Sequence, residues 1–232
     1  MRQTSMIPAL NQTAARTAPQ QRIAAIYQEI RYRICTNRYP PDTLLREEEL
    51  AREYSVSRSP IRRVFSMLEH EGLVEIKHGI GTLVTRIEPE LLADVYAVRM
   101  ILAEAMGPFI ETPFAEGTRE FFVRCGEEFL ALQQGDEIGF AETNIRYFVG
   151  LMDLAANKTL REMQCNLFFQ TSRMWLLLLR SIPWEDTINA VHDEVDEVVR
   201  RIDVEDPIGL GFAIRNHIFE SQQRLFKALH EG

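Results

Sequence analysis

The sequence has few cysteines, and its apolar residues form no long run. Only three of the 232 residues are cysteine, and their spacing pairs none of them with another. Neither a disulfide framework nor a zinc knuckle is therefore indicated, and a reducing compartment fits this usage. The longest apolar run, which contains Trp175 to Leu179, is much shorter than the roughly 20 residues of a membrane-spanning helix. These absences favour a soluble protein.

The signatures of common enzyme sites are also missing. No glycine-rich phosphate loop follows a predicted strand, and no His-Glu-x-x-His sequence occurs. The pair Gly79 and Gly81 lies between two short strands instead. The sequence therefore does not predict an enzyme.

Charge divides the chain into two unlike parts. Residues 1 to 86 contain thirteen Lys and Arg against nine Asp and Glu, whereas residues 87 to 232 contain thirteen against twenty-five. The net charge of −8 thus combines +4 in the first part with −12 in the second, and only the first suits a polyanion. We predict a domain over residues 21–87 and another over residues 88–232, joined near Glu88-Pro89.

Residues 1–20 are polar and rich in Gln, Thr and Ala, with no apolar core of the kind found in secretory signals. We interpret them as a disordered arm. Together with the cysteine usage, this favours a cytoplasmic protein.

The clearest local signal is a helix start at residues 56–63, Val-Ser-Arg-Ser-Pro-Ile-Arg-Arg. Ser57 or Ser59 can accept a hydrogen bond from a free amide of the first turn, and Pro60 suits that turn. A bland alternative is a solvated helix start with a basic surface. Arginine's planar fork, however, matches guanine O6 and N7 and also grips phosphate. Three arginines crowd this helix start: Arg58, Arg62 and Arg63.

The flanking residues favour the DNA-binding interpretation. Acidic residues 47–49 begin a preceding helix, whose apolar face is predicted to comprise Leu44, Leu50, Ala51 and Tyr54. Residues 54–57 form the short turn of a helix-turn-helix, and Gly72 can end the second helix. Residues 73–77 and 82–85 read as two strands of a hairpin wing around the tip His78-Gly79-Ile80-Gly81, where Lys77, His78 and Arg86 are candidate donors to DNA.

These segments resemble the winged helix-turn-helix of GntR-type bacterial transcription regulators over about 65 residues. The resemblance lies in residues 39–44, 47–51, 56–62 and 68–74. It implies that Arg58 and Arg62 contact the major groove and that His78 and Gly79 form the contact at the wing tip. The full predicted set of DNA-binding residues is Arg46, Ser57, Arg58, Ser59, Arg62, Arg63, Lys77, His78 and Gly79. Two residues depart from the family pattern: relatives usually carry Glu at position 63 and several carry Arg at position 48.

The carboxy-terminal part has no convincing strand and consists of amphipathic stripes with a period near 3.6. One stripe comprises Leu91, Val95, Val98, Leu102, Ala105 and Phe109. We predict an all-α antiparallel bundle, which makes the protein mainly α. This part resembles the FCD effector domain of FadR-type regulators.

Regulators of that type often hold a metal ion on one Asp and three His side chains. The corresponding positions here are Asn144, Phe148, His192 and His217. Phenylalanine has no lone pair to donate, and a neutral amide is a poor substitute for carboxylate. We therefore predict no metal and no other cofactor.

The resemblance also places an effector-facing arginine at Arg99. We predict that a small anionic metabolite is held in a mostly apolar cavity by Arg99, Asn144, Tyr147, His192 and His217. Two alternatives are that Arg99 pairs with Glu104 or Asp94 on a solvated face and that Tyr147 is ordinary core. Aromatic residues such as Phe168 leave open a more hydrophobic effector, such as an acyl chain.

The predicted function is that of a homodimeric transcription regulator that binds an inverted-repeat operator in double-stranded DNA. In this prediction, an effector in the bundle changes its affinity for the operator. The alternative is a dimeric DNA-binding protein whose bundle only dimerises and senses no ligand.

Overall fold

The computed structural model describes residues 17–86 and 89–231, which form two compact units divided between residues 87 and 88. Most of the predicted arm lies outside the described residues. Its last three residues, 18–20, instead belong to helix α1 (Ala18–Cys35). Pro19 suits the first turn, where no backbone donor is needed, and the Gln20 side chain accepts a hydrogen bond from the Thr17 amide (2.9 Å). The helix thus begins before the predicted boundary.

The first unit is a winged helix-turn-helix, as predicted. After α1 come β1 (Leu44–Leu45), α2 (Glu47–Glu53), α3 (Arg58–His70), β2 (Val74–Lys77) and β3 (Gly81–Val84). The strands form one antiparallel sheet in the order β1-β3-β2. β2 and β3 are the hairpin wing, with Val74 opposite Val84 and Lys77 opposite Gly81.

The prediction that Leu44 belongs to the face of α2 was wrong. Leu44 lies in β1, where it pairs with Leu83 of β3. Gly81 allows this close approach, because a Cβ atom there would lie 2.9 Å from Leu44 Cδ1. Gly81 also has a φ of 129°, which a residue with a side chain rarely adopts.

Helix α3 packs its apolar side on α1 and α2. Its buried residues are Ile61, Val64, Phe65 and Leu68, and burial of each such side chain stabilises the fold by about 1.5–3 kcal/mol. Gly72 follows the helix with a φ of 70°, which confirms the predicted stop. The predicted serine cap was wrong: Ser57 precedes the helix but makes no capping hydrogen bond, and Ser59 lies inside the first turn.

A buried ion pair fixes α1 to the end of α3. Arg31 is fully buried, and its Nε lies 3.2 Å from Glu71 Oε2. The Tyr27 hydroxyl donates to the other carboxylate oxygen of Glu71. Because unpaired buried charges are costly, these three residues hold the two helices in one arrangement.

The second unit is a helical bundle, as predicted. Its helices are α4 (Pro89–Glu104), α5 (Thr118–Ala131), α6 (Glu137–Asp153), α7 (Lys158–Leu178), α8 (Trp184–Asp203) and α9 (Pro207–Glu231). α4 packs on α7 and α9, α8 packs on α5 and α9, and α6 packs on α5 and α7. No helix in the described parts of the chain has both the length and the apolar character needed to cross a membrane.

The apolar stripe predicted for α4 is correct at Val95, which is buried, but not at its neighbours in the stripe. Leu91 and Val98 are about half exposed, whereas Leu92, Tyr96 and Arg99 are buried. The inner face of α4 contains the charged residue Arg99, so an apolar pattern alone could not identify that face. The side chain of Arg99 therefore points into the bundle.

Candidate functional site

The first turns of α2 and α3 are joined by two ion pairs. Arg58 Nη2 lies 2.5 Å from Glu48 Oε1, and Arg62 Nε donates to both carboxylate oxygens of Glu47 at 2.8 and 3.0 Å. Both arginine side chains are more than half exposed, at 57% and 66%. Exposed pairs of this kind contribute about 0.2–1 kcal/mol, so an approaching phosphate or base can compete for these arginines.

The other predicted DNA-binding residues also lie on the surface of the first unit. Arg46 pairs with Glu49 in the first turn of α2 (3.6 Å), and Lys77 pairs with Glu75 on β2 (3.2 Å). The remaining five are all exposed: Ser57, Ser59, Arg63, His78 and Gly79. Gly79 has a φ of 77° at the wing tip, where glycine permits the turn. The α2–α3 surface and the wing thus present cations and small residues.

The second unit encloses a cavity lined by residues of α4, α6, α7, α8 and α9. Most of its wall is apolar and comprises Tyr96, Phe140, Phe148, Leu151, Phe168, Trp175, Val191, Ile214 and Ile218. The polar lining residues are Arg99, Asn144, Tyr147, Ser172, Thr187, Glu194, His217, Ser221 and Arg224. Apolar walls with a few convergent polar groups are typical of small-molecule sites.

Arg99 is the buried cation of this cavity. Its Nη1 donates to Thr171 Oγ1 at 2.9 Å, and its guanidinium lies 5.4 to 5.7 Å from the ring centres of Phe148 and Phe168. Burial lowers the pKa of Arg99, and the nearby Tyr96 phenol opposes that shift. The alternative that Arg99 pairs with Glu104 or Asp94 on a solvated face was wrong, because Arg99 is only 6% exposed.

Several buried polar atoms around the cavity have no hydrogen-bond partner among the described residues. They are Arg99 Nε, Ser172 Oγ and Arg224 Nε. A buried polar group without a partner costs about 1–3 kcal/mol. Burial, reinforced by the Glu194 carboxylate, raises the pKa of Tyr147, so its hydroxyl remains a donor at neutral pH. These atoms offer donors to a ligand that carries acceptors.

His217 and Glu194 are in contact between α9 and α8. His217 Nδ1 lies 2.8 Å from Glu194 Oε2, and His217 Nε2 lies 3.2 Å from Ser221 Oγ. His217, Glu194 and Arg224 also line a groove on the outer surface between the same helices. These three residues therefore separate the cavity from that groove.

The structure does not bring His192 to the cavity. Its side chain is 48% exposed and its Nδ1 lies 3.5 Å from Asp196 Oδ1. Val191 is buried, and each residue turns an α-helix by about 100°, so His192 points away from the core. The prediction that His192 holds the effector is corrected accordingly. Of the predicted effector residues, Arg99, Asn144, Tyr147 and His217 line the cavity.

The residues present do not fit the metal site that the resemblance implies. Phe148 stacks on Phe168 with ring centres 3.8 Å apart, and His192 points to the surface. The described residues contain no group of three or more His, Cys, Asp or Glu side chains placed to hold a metal ion. The polar groups that do line the cavity near these positions are Asn144, His217, Glu194 and the guanidinium of Arg99.

Five polar residues of the cavity were missed in the sequence: Ser172, Thr187, Glu194, Ser221 and Arg224. A signal was present for four of them, including Thr187, which precedes buried Val191 by four residues. Glu194 follows buried Val191 by three residues, and Ser221 and Arg224 follow His217 by four and seven, so each shares the inner face of its helix. Ser172 carried no such signal, because α7 is apolar on several sides.

Known proteins resemble this chain most clearly in the first unit. Residues 22–84 match the family described as bacterial regulatory proteins, gntR family. An HTH-type transcriptional regulator in an unstable DNA locus of Streptomyces ambofaciens is 30% identical over 136 residues, which cover 57% of this chain and 56% of that protein. The gluconate operon transcriptional repressor of Bacillus subtilis is 34% identical over 74 residues, 32% of this chain and 30% of the repressor. The chain thus matches about half, or less, of these two proteins.

Solved structures share the fold over most of the chain. E. coli McbR/YncC superposes with a TM-score of 0.76 at 14% identity and covers 90% of this chain and 97% of its own. A structure described as a GntR transcriptional regulator from Rhodococcus sp. RHA1 superposes with a TM-score of 0.72 at 15% identity. The match covers 89% of this chain and 98% of that chain. Both units therefore occur together in known proteins of this architecture. The sequence match, the fold and the arginine-bearing α3 agree: the amino-terminal unit is a winged helix-turn-helix DNA-binding domain of the gntR family of bacterial regulatory proteins.

Proposed function

We propose that this protein is a cytoplasmic, homodimeric transcription regulator whose operator affinity is changed by a small anionic metabolite. The first unit binds an inverted-repeat site in double-stranded DNA, and the helical unit, an FCD-type effector domain, binds the metabolite. The protein carries out no chemical reaction on either partner.

The family match and the chemistry of α3 support the DNA-binding part. Arg58 and Arg62 stand in its first two turns, and both are more than half exposed. Their partners, Glu48 and Glu47, hold them by exposed ion pairs that DNA can replace. Two such units related by a twofold axis favour a site with the same symmetry.

The observation that carries the effector proposal is Arg99. This buried guanidinium faces a cavity, its Nε has no hydrogen-bond partner among the described residues, and its other nitrogens meet two neutral groups, the Thr171 hydroxyl and the Tyr96 phenol. A buried cation with no anionic hydrogen-bond partner favours a ligand that brings the negative charge. Ser172 offers a further donor to such a ligand. The cavity measures about 60 Å³, which favours a small anion over an effector with a long hydrocarbon body.

Binding alone does not make the metabolite an effector. A ligand that binds the DNA-competent and DNA-incompetent arrangements equally tightly does not change the equilibrium between them. The helical unit must therefore respond to the ligand in a way that changes the two DNA-binding units. A bundle that only dimerises would lack this coupling.

The experiment that tests the proposal has two linked measurements. Selection from random duplex DNA gives an operator, and native mass spectrometry gives the number of chains bound to it. Thermal shift with small carboxylates, sugar acids, phosphates and acyl thioesters then identifies ligands, which are titrated into the operator complex. A ligand that stabilises the protein and changes operator affinity supports the proposal. Stabilisation with unchanged operator affinity would favour the dimerisation-only alternative.

A further inference from the structure

The outward side of α3 is a row of exposed residues opposite its packed side. The packed residues are Ile61, Val64, Phe65 and Leu68, and one α-helical residue turns the chain by about 100°. The row at the opposite side comprises Ser59, Arg63, Ser66 and His70, all of them exposed. Arg63 is the row's only arginine and stands in its amino-terminal half.

Arg58 and Arg62 lie to one side of this row, toward α2. That placement explains why each meets a carboxylate of α2, Glu48 and Glu47 respectively. These two pairs leave little net charge on that side of the helix. Arg63 differs, because no described residue forms an ion pair or a hydrogen bond with its side chain.

The neighbours of Arg63 along the row leave space around it. Ser59 and Ser66 have short side chains, so the longer guanidinium of Arg63 projects beyond them. A guanidinium that extends beyond its neighbours can enter the major groove and donate to O6 and N7 of one guanine. Arg58 and Arg62 must first break their ion pairs with glutamate to do the same.

We infer that Arg63 reads one guanine in each operator half-site, while Arg58 and Arg62 hold the flanking backbone phosphates. This assignment rests on the proposed DNA-binding function and goes further, because it ranks the three arginines by role. Base contact and phosphate contact have different signatures. Loss of a base contact removes a preference at one position, whereas loss of a phosphate contact weakens all sequences alike and lowers the salt dependence of binding by about one counterion.

The test compares wild type with Arg63→Gln in selection from random duplex DNA, followed by titration. We expect Arg63→Gln to lose a guanine preference at one position per half-site and to bind the wild-type site on the order of 10-fold more weakly. Replacing that guanine with 7-deazaguanine, which lacks N7, should weaken wild-type binding and leave Arg63→Gln unaffected. Arg62→Gln should keep every base preference and weaken binding to all sites.

Arg119→Gln is the matched control, because it removes an exposed cation from the helical unit, where Arg119 pairs with Asp203. It should bind like wild type. The inference is overturned if Arg63→Gln keeps the wild-type sequence preferences, with or without a uniform loss of affinity. A wild-type protein that selects no DNA sequence at all would overturn the proposed function itself, a result distinct from unchanged preferences in the variant. Because Arg63 is exposed, the substitution should leave the fold intact, which circular dichroism would verify.

Discussion

The rings of Phe148 and Phe168 stack face to face, with centres 3.8 Å apart and planes within 6° of parallel. Arg99 places its guanidinium within 6 Å of both ring centres, at 5.7 and 5.4 Å. A cation beside aromatic faces gains electrostatic attraction there. This part of the cavity therefore holds a positive charge that belongs to the protein itself.

The first prediction is that no transition metal is tightly held in the helical unit. Phe148 has no donor atom, and the Arg99 guanidinium would repel a second cation nearby. Elemental analysis after purification without chelators should find well under one zinc, nickel or manganese ion per chain. About one ion per chain, lost in His217→Ala, would contradict the prediction.

The second prediction concerns Arg99→Met, which removes the charge but keeps an unbranched side chain. Because an uncompensated buried charge is costly, the free energy of unfolding without ligand should equal or exceed that of wild type, by on the order of 1 kcal/mol. Stabilisation by anionic ligands should disappear. Chemical denaturation with and without a ligand identified by thermal shift measures both effects. A large loss of stability in ligand-free Arg99→Met would show that the cation is structural.

The third prediction is that Arg58→Ala and Arg62→Ala each weaken operator binding. Each contact to a base or phosphate, once freed from its glutamate, should contribute on the order of 1–3 kcal/mol. Titration of a selected operator at fixed salt concentration measures the loss, with Arg119→Ala as the control. Affinities equal to wild type for both variants would remove Arg58 and Arg62 from the interface.

The fourth prediction is that Glu71→Ala strongly destabilises the first unit. It leaves the Arg31 guanidinium, which is fully buried, without this carboxylate, a change that typically costs 3–5 kcal/mol. Denaturation followed by circular dichroism should show the loss. Glu75→Ala removes an exposed carboxylate from β2 and should change stability by no more than about 0.5 kcal/mol. Similar small effects in both variants would mean that Arg31 has other sufficient partners.

The fifth prediction is a pH dependence from Asp206, which precedes α9. Its Oδ1 accepts from the Gly209 amide at 2.7 Å, and this bond, with Arg201, lowers the pKa of Asp206 below its ordinary value of 3.8. A pKa lowered by folding stabilises the protein above 3.8, and that contribution is lost as the pH falls through the lowered value. Asp206→Ala should therefore be less stable than wild type at pH 7, and the difference should shrink as the pH falls below 3.8. A difference independent of pH would exclude the charge as its source.

The sequence predicted the elements whose signals are local. The start of α3, its stop at Gly72 and the wing hairpin each depend on neighbouring residues, so their composition was sufficient. β1 was missed because Leu44 pairs with Leu83, far along the chain. A two-residue strand also has no periodicity of its own.

The ligand cavity was harder to predict, because it depends on helix rotation. His192 was chosen because the resemblance to FadR-type regulators places a ligand there, although its neighbour Val191 occupies the inner face. Glu194 lies on that face and was overlooked.

The unpaired polar atoms of the cavity also make the helical unit locally frustrated when it is empty. Arg99, Ser172 and Arg224 each keep a buried atom whose bonding capacity the described residues do not meet. Segments that carry such mismatches open more readily than well-satisfied ones, so amides of α4, α7 and α9 should exchange with solvent faster in the empty protein than in one that holds the proposed ligand. Under the proposed function, the lifetime of the protein against proteolysis would then follow the abundance of that ligand.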